Sequence, residues 1–218
     1  MRIGILGSGS MGLALGKFLA GAGHAVLFGT RTSQRVNEWI SSEGLSARSG
    51  SYAQAAEFGD IVLLVTRWST TQAAIRAAGS LAGKVLVDCA NPDGAEGFYH
   101  VASGRTRSGA EEVAEWASGA RVVLAFNNLY GSMLLAGTRF GTDTPSAFYC
   151  GDDEAAKSAV AQLMREAGLD PVDAGALKNA RYLEPLAGLM AHLGERMGWG
   201  GENIAYKLLR RQPGSPTA

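Results

Sequence analysis

The residues whose spacing speaks most directly of chemistry are Gly7-Ser8-Gly9-Ser10-Met11-Gly12. A G-x-G-x-x-G spacing alone is weak evidence. This one follows an apolar run at residues 2–6 and opens a segment with apolar residues at helical spacing, and that context gives the motif its meaning. The first glycine permits a tight turn, the second lets the backbone approach a pyrophosphate, and the third lets the helix pack close to the strand. The helix N-terminus behind the loop presents free N–H groups and a partial positive charge to phosphates. A glycine-rich turn with no ligand is the competing reading, and the strand–loop–helix–strand context weighs against it.

A second chemical signal lies where the next strand ends. Chains of this type that bind NAD carry an acid there, about twenty residues on, to accept hydrogen bonds from the ribose 2′-hydroxyl. Residues 13–37 contain no Asp or Glu. Gly29 and Thr30 hold the position, followed by Arg31, Thr32 and Arg35. A carboxylate would repel a 2′-phosphate, whereas hydroxyls and a planar guanidinium fork bind one. NADP(H) is therefore the expected nucleotide. The plainer alternative is a solvated helix start capped by a hydroxyl.

The elements that must position these residues alternate. Strands are expected over 2–6, 25–28, 45–48, 60–66, 84–90, 121–126 and 146–151. Helices are expected over 11–22, 35–41, 70–81, 108–117 and 153–167. Most of the strands are apolar throughout, which indicates a parallel sheet covered on both faces. The expected fold is α/β, a Rossmann-like, doubly wound, mostly parallel sheet with a C-terminal helical extension. Residues 1–175 make the NADP-binding domain, 176–210 the extension packed on it, and 211–218 a flexible tail. A helical pattern over 176–198 carries the apolar stripe Leu183, Leu186, Met190, Leu193 and Met197.

Ligands of open α/β sheets sit outside the carboxyl ends of the strands, where strand order reverses. Val65, Thr66 and Arg67 leave the fourth strand, and Ala90, Asn91 and Pro92 leave the fifth. These are expected to reach the nucleotide. Trp68, Asn127, Asn128 and Leu129 are expected to face the second substrate. Turn chemistry for the asparagines and core packing for Trp68 are the competing readings. Arg181 and Glu184 are placed for an i,i+3 pair or for facing the cleft.

Other chemistry finds little support. Lys+Arg and Asp+Glu number 20 each, so no global charge favours nucleic acid. No apolar run is long enough to span a membrane and no leader pattern opens the chain, so a cytoplasmic protein is expected. Cys89 and Cys150 lie far apart in strand-like runs and read as buried thiols. His24, His100 and His192 have no ligand spacing, and no metal site is expected. Asp152, Asp153 and Glu154 stand at a helix start, where acids cap free N–H groups. There is no G-x-S-x-G elbow. Tyr130 and Tyr182 are the candidate proton donors, and neither has an obvious activating neighbour in the sequence.

The opening "MRIGILGSGSMGLALGKFLAGAGHAVLFGTR", the "NP" at 91–92, "AFN" at 125–127, "CGDDE" at 150–154 and "DAGALKNARYLEPLA" at 173–187 together resemble the NADPH-dependent reductases of the deazaflavin coenzyme F-420. They equally resemble the short bacterial NADP oxidoreductases grouped with them and the cytosolic domain of the six-transmembrane ferric reductases. The resemblance covers nearly the whole chain. It implies a dimeric Rossmann-like protein in which NADP(H) exchanges a hydride with a stacked planar redox ring. Thr30, Arg31 and Arg35 fall on the family's 2′-phosphate binders. Asn127 stands where these reductases can carry a histidine, and Arg67 where the family commonly has proline.

The expected function is hydride transfer between NADP(H) and coenzyme F-420 or a flavin, a small-molecule redox substrate. The alternatives are a reductase of a small imine or ketone, and a non-catalytic NADPH-binding sensor. A homodimer is expected, with Leu189, Trp199, Ile204 and Tyr206 covered by the partner. Replacing Arg31 by Ala should weaken NADPH binding by about 1.5–3 kcal/mol, the range for hydrogen bonds to charged groups, and barely change NADH. Equal losses for both nucleotides in a binding titration would remove the 2′-phosphate assignment.

Overall fold

A computed structural model describes residues 1–92 and 106–211. Its strands are β1 (Arg2–Leu6), β2 (Ala25–Gly29), β3 (Ala47–Gly50), β4 (Ile61–Leu64), β5 (Val85–Asp88), β6 (Arg121–Ala125), β7 (Ser146–Gly151) and β8 (Asp170–Asp173). They form one sheet in the order β3-β2-β1-β4-β5-β6-β7-β8. Every neighbouring pair is parallel except β6 with β7. The helices are α1 (Ser10–Gly21), α2 (Ser33–Ser42), α3 (Tyr52–Phe58), α4 (Trp68–Ala78), α5 (Gly109–Trp116), α6 (Gly131–Ala136), α7 (Glu154–Glu166) and α8 (Ala180–Ala191). This is the Rossmann-like α/β fold that the alternation implies. The chain runs from β1 out through β2 and β3, then returns to β4 on the other side of β1. The reversal opens a crevice above the carboxyl ends of β1 and β4.

Both faces of the sheet are buried, which is why β4 is apolar at every position. Ile3, Ile5, Phe28, Leu63 and Val123 belong to the core shared with α1 and α7. Leu6, Val62, Leu64, Leu86 and Leu124 belong to the core shared with α3, α4 and α5. Three elements escaped the sequence reading. Helix α3 is short and alanine-rich, and its capping box of Ser51 and Gln54 defines its start. Helix α6 has only 6 residues. Strand β8 contains Pro171, which a sheet edge tolerates. The third strand lies at Ala47–Gly50, two residues beyond the expected place. Among the described residues no helix is long and apolar enough to cross a membrane.

The helix expected over 176–198 is not continuous. A 3-10 turn at Leu177–Asn179 leads into α8, which contains Pro185, and a π turn follows at His192–Arg196. Leu183 and Met190 are buried as the stripe requires, but Met197 is 54% exposed, because the helix has ended before it. Arg181 and Glu184 take neither expected role. Arg181 forks onto Glu111 at 2.8 and 2.7 Å. Glu184, 2% exposed, accepts the N–H groups of Gly109 and Ala110 at 3.0 Å each. Its carboxylate therefore satisfies the N-terminus of α5 and fastens α8 to it.

Two of the residues expected to need a partner fold back on the chain itself. The Tyr206 hydroxyl donates to the Leu186 carbonyl at 3.1 Å, and Ile204 packs over Gly194. Leu189 and Trp199 remain 49% and 64% exposed. The tail from residue 212 and His100 lie outside the described residues. A homodimer that covers Leu189, Met197 and Trp199 is the predicted assembly. Light scattering that gives a monomer at micromolar concentration would refute it.

Asp88 ends β5 in a buried position. Its Oδ1 accepts the Ala90 N–H at 2.9 Å, and among the described residues its Oδ2 has no hydrogen-bond partner. Burial, opposed by that N–H and aided by the charge of Glu184, pushes the carboxyl up to about 8. In the unfolded chain an Asp titrates near about 3.9. The folded state thus holds a proton that the unfolded state releases. The resulting stabilisation is full below about pH 4 and is lost as pH rises towards 8. One such group gives a slope of at most about 1.4 kcal/mol per pH unit. Asp88→Asn should flatten that part of the decline, as checked by thermal unfolding at about pH 5 and about pH 8. An unchanged slope would mean that Asp88 is ionised in the folded protein.

Candidate functional site

Gly7 turns the chain out of β1 with φ +122°, a conformation that side-chain-bearing residues rarely adopt. A Cβ at Gly7 would lie 2.5 Å from the Val65 carbonyl, and one at Gly12 would lie 2.5 Å from the Gly7 carbonyl. The start of α1 is thereby pressed against the ends of β1 and β4. At Gly9 a Cβ would meet no atom within 4 Å, so the space above the loop is open. Gly9 caps α1 without a side-chain acceptor, and the first turn holds no acid. These N–H groups point to an anion from outside the chain.

A cleft of about 610 Å³ opens there, lined by Gly7, Ser8, Gly9, Thr30, Arg31, Thr32, Arg35, Tyr52, Val65, Thr66, Arg67, Ser69 and Thr70. Three are arginines and none is acidic. Thr30 Oγ1 stands 2.9 Å from Ser8 Oγ and accepts the Thr32 N–H at 3.1 Å, tying the glycine loop to the end of β2. Arg35 donates to the Ser8 carbonyl at 3.0 Å and so braces the loop. Arg31 is exposed and forms no ion pair among the described residues. The open space over Gly9, the uncapped helix start and the acid-free lining fit a dinucleotide pyrophosphate with a further phosphate.

A second cavity, of about 280 Å³, adjoins the first along Val65, Thr66 and Arg67, which line both. Ser10, Met11, Trp68, Cys89, Ala90, Asn91, Phe126, Asn127, Leu129, Tyr130, Gly131, Met190, Glu195 and Glu202 complete its walls. Asn91 and Asn127 bind each other across the ends of β5 and β6. The Asn91 amide donates to the Asn127 carbonyl at 2.9 Å, and the Asn127 amide donates to Asn91 Oδ1 at 3.1 Å and to the Leu183 carbonyl at 3.2 Å. Asn127 Oδ1 is buried with no hydrogen-bond partner among the described residues. Phe126, directly before Asn127, sits at φ +61°, the one non-glycine residue at positive φ among those described. Such a conformation costs on the order of 1–3 kcal/mol and gathers at functional sites. Burial, and secondarily the nearby Asp88, pushes the Cys89 thiol well up. The shift favours the neutral thiol on the cavity wall.

Most of the residues expected at the site are brought together. Asn128 is not, because its amide donates to the Ser146 carbonyl at 3.2 Å and its Oδ1 accepts the Phe148 N–H at 3.3 Å. It pins the turn after β6 to β7. Pro92 packs near Gly109 and lines neither cavity. Gly12 lies beneath the loop and lines neither. Trp68 reaches the cavity, but its ring rests on Trp116 with centroids 5.2 Å apart. Asp153 caps α7 by accepting the Ala156 N–H at 2.7 Å, and Asp152 accepts the Leu177 N–H at 2.9 Å. No group of three potential metal ligands gathers among the described residues.

Sequence reasoning missed Tyr52, Ser69 and Thr70 in the first cleft, and Cys89, Phe126, Gly131, Met190, Glu195 and Glu202 in the second. Tyr52 had a readable signal, since it directly follows the capping residue of α3. Tyr130 was considered but lacked a partner. Its hydroxyl donates to Glu195 Oε1 at 3.2 Å, across 65 positions of sequence. Tyr182, the other candidate, is 75% exposed and lines neither cavity.

Comparison with known proteins agrees with this geometry. Residues 2–92, from β1 past the end of β5, match the family described as NADP oxidoreductase coenzyme F420-dependent. The F420-dependent NADP reductase of Methanothermobacter marburgensis is 29% identical over 211 residues, 88% of this chain and 92% of that protein. The rat metalloreductase STEAP3 is 31% identical over 185 residues, 85% of this chain, which spans only 36% of the rat protein. A crystal structure from Arthrobacter sp. FB24, of a protein whose F420-dependent NADP-reductase activity is itself inferred, superposes with a TM-score of 0.84. It is 31% identical and covers 96% of this chain and 100% of its own. With that agreement from end to end, the chain belongs to the family of coenzyme F420-dependent NADP oxidoreductases and their short relatives.

Proposed function

We propose that this chain transfers a hydride between NADP(H) and a flat redox ring, a deazaflavin of the coenzyme F-420 type or a flavin. The observation that carries this reading is the pair of adjoining cavities. One is acid-free, bears arginines and surrounds the glycine loop. The other lies at the strand ends where the first would deliver a nicotinamide. The loop and the N-terminus of α1 hold the pyrophosphate. Thr30, Arg31 and Thr32 take the 2′-phosphate, and Arg35 keeps the loop in place through the Ser8 carbonyl. Bound NADPH supplies the hydride. Val65, Thr66, Ala90 and Asn91 wall the nicotinamide end, and the Asn91–Asn127 pair keeps that wall rigid. Orientation of two rings is the main requirement of such a transfer. Arg67, on the shared wall, suits an anionic part of the acceptor or of the nucleotide.

The M. marburgensis relative, by name an F420-dependent NADP reductase, supports the deazaflavin. Reduction of a small imine or ketone is the second reading, favoured by the Tyr130–Glu195 hydrogen bond inside the cavity. The test mixes purified protein and NADPH with oxidised coenzyme F-420, with FMN, and with 1-pyrroline or cyclohexanone. Gly9→Val, whose side chain would fill the space above the loop, is the control. The expected result is bleaching of the deazaflavin well above the protein-free rate, lost together with NADPH thermal stabilisation in Gly9→Val. Turnover of the imine or ketone alone would install the second reading. Stabilisation by NADPH with no turnover at all would make the chain a nucleotide sensor.

A further inference from the structure

A hydride added to carbon in a deazaflavin, imine or ketone leaves an electron pair on the conjugated nitrogen or oxygen. That atom needs a proton. We propose that Tyr130 delivers this proton to the acceptor and that Glu195 resupplies it from solvent. The inference rests on the hydride-transfer reading above and adds the group that completes the reaction.

Both residues line the second cavity, and the Tyr130 hydroxyl already donates to Glu195 Oε1 at 3.2 Å. The Tyr130 ring is half-buried and packs against the core, so its position is fixed. Its neighbour Gly131 lies so close to α1 that a Cβ there would stand 2.9 Å from the Met11 backbone. Tyr130 is thereby held beside the start of the helix that faces the nucleotide. Glu195, on the π turn after α8, is exposed to solvent. Other candidates are less well placed. Thr66 Oγ1 is engaged with Thr71 Oγ1 at 3.0 Å, and Asp88 does not line the cavity.

In the step, the hydride pair from the nicotinamide forms a C–H bond on the acceptor carbon, and the acceptor π pair moves to its nitrogen or oxygen. The Tyr130 O–H bond breaks and its proton forms the new N–H or O–H bond. The Glu195 carboxylate then takes a proton from solvent and passes it to the phenolate, which restores the Tyr130 O–H and the carboxylate. The nicotinamide is oxidised by two electrons and the acceptor reduced by two. The reverse reaction uses the same pair as base.

The test compares wild type, Tyr130→Phe and Glu195→Gln with oxidised coenzyme F-420, 1-pyrroline and cyclohexanone. Tyr130→Phe should lower kcat by about 100-fold or more, within the range for general acids, with NADPH affinity unchanged and the pH profile flattened. Glu195→Gln should lower kcat less and displace the profile. A readout independent of turnover uses protein labelled with ¹³C at the tyrosine ζ carbon. The Tyr130 resonance, identified by its loss in Tyr130→Phe, should move when an acceptor is added to the NADP⁺ complex, and its titration should shift in Glu195→Gln. A Tyr130→Phe enzyme with wild-type kcat and pH profile, or a resonance untouched by every acceptor, overturns the role of Tyr130 alone. Wild-type protein that reduces none of the acceptors overturns the hydride-transfer reading and this step with it.

Discussion

The close approach of the glycine loop to the end of β4 is the constraint on which the rest of the structure depends. Gly7 and Gly12 admit no side chain because the Val65 and Gly7 carbonyls occupy that space. Their absence of side chains lets α1 begin directly over the point where strand order reverses. Both cavities border that contact. One lies on the loop side and the other beyond Val65, Thr66 and Arg67. A bulkier loop would lift α1, part the two cavities and leave the N–H groups aimed at nothing.

The C-terminal extension does more than cover the sheet. Glu184 satisfies the first N–H groups of α5, and the Leu183 carbonyl receives the Asn127 amide. Two consecutive residues of α8 therefore fix a helix start and the wall of the second cavity together. Beyond α8 the backbone loosens into a π turn, and that turn carries Glu195 to the cavity mouth. π turns within helices are frequent at functional sites because they redirect side chains out of the regular stripe. The arrangement also divides the charge. The cleft at the glycine loop is lined by arginines without acids, and the carboxylates Glu195 and Glu202 face only the second cavity.

Fold class, the nucleotide loop and most of the strand ends were legible from residue order alone. Those features rest on local physics. An apolar run with both faces buried, a glycine where φ is positive, and a missing acid after β2 are each readable within about twenty residues. Helix α3 and strand β8 were not legible, since a short alanine-rich turn and a proline-bearing edge strand carry little periodicity. The site was harder to read wherever it depends on distant partners. Asn128 looks like Asn127 in sequence, yet one amide is committed to β7 and the other to the cavity wall. Arg181 and Glu184 look like a pair, yet each binds α5 separately. Tyr130 acquires Glu195 only when the chain returns after α8. Hydrogen-bond geometry across such separations is set by how helices and sheet pack, and residue spacing holds no record of it. For that reason the nucleotide loop was readable from residue order, and the hydrogen-bonded wall of the second cavity emerged only from the packing of distant elements.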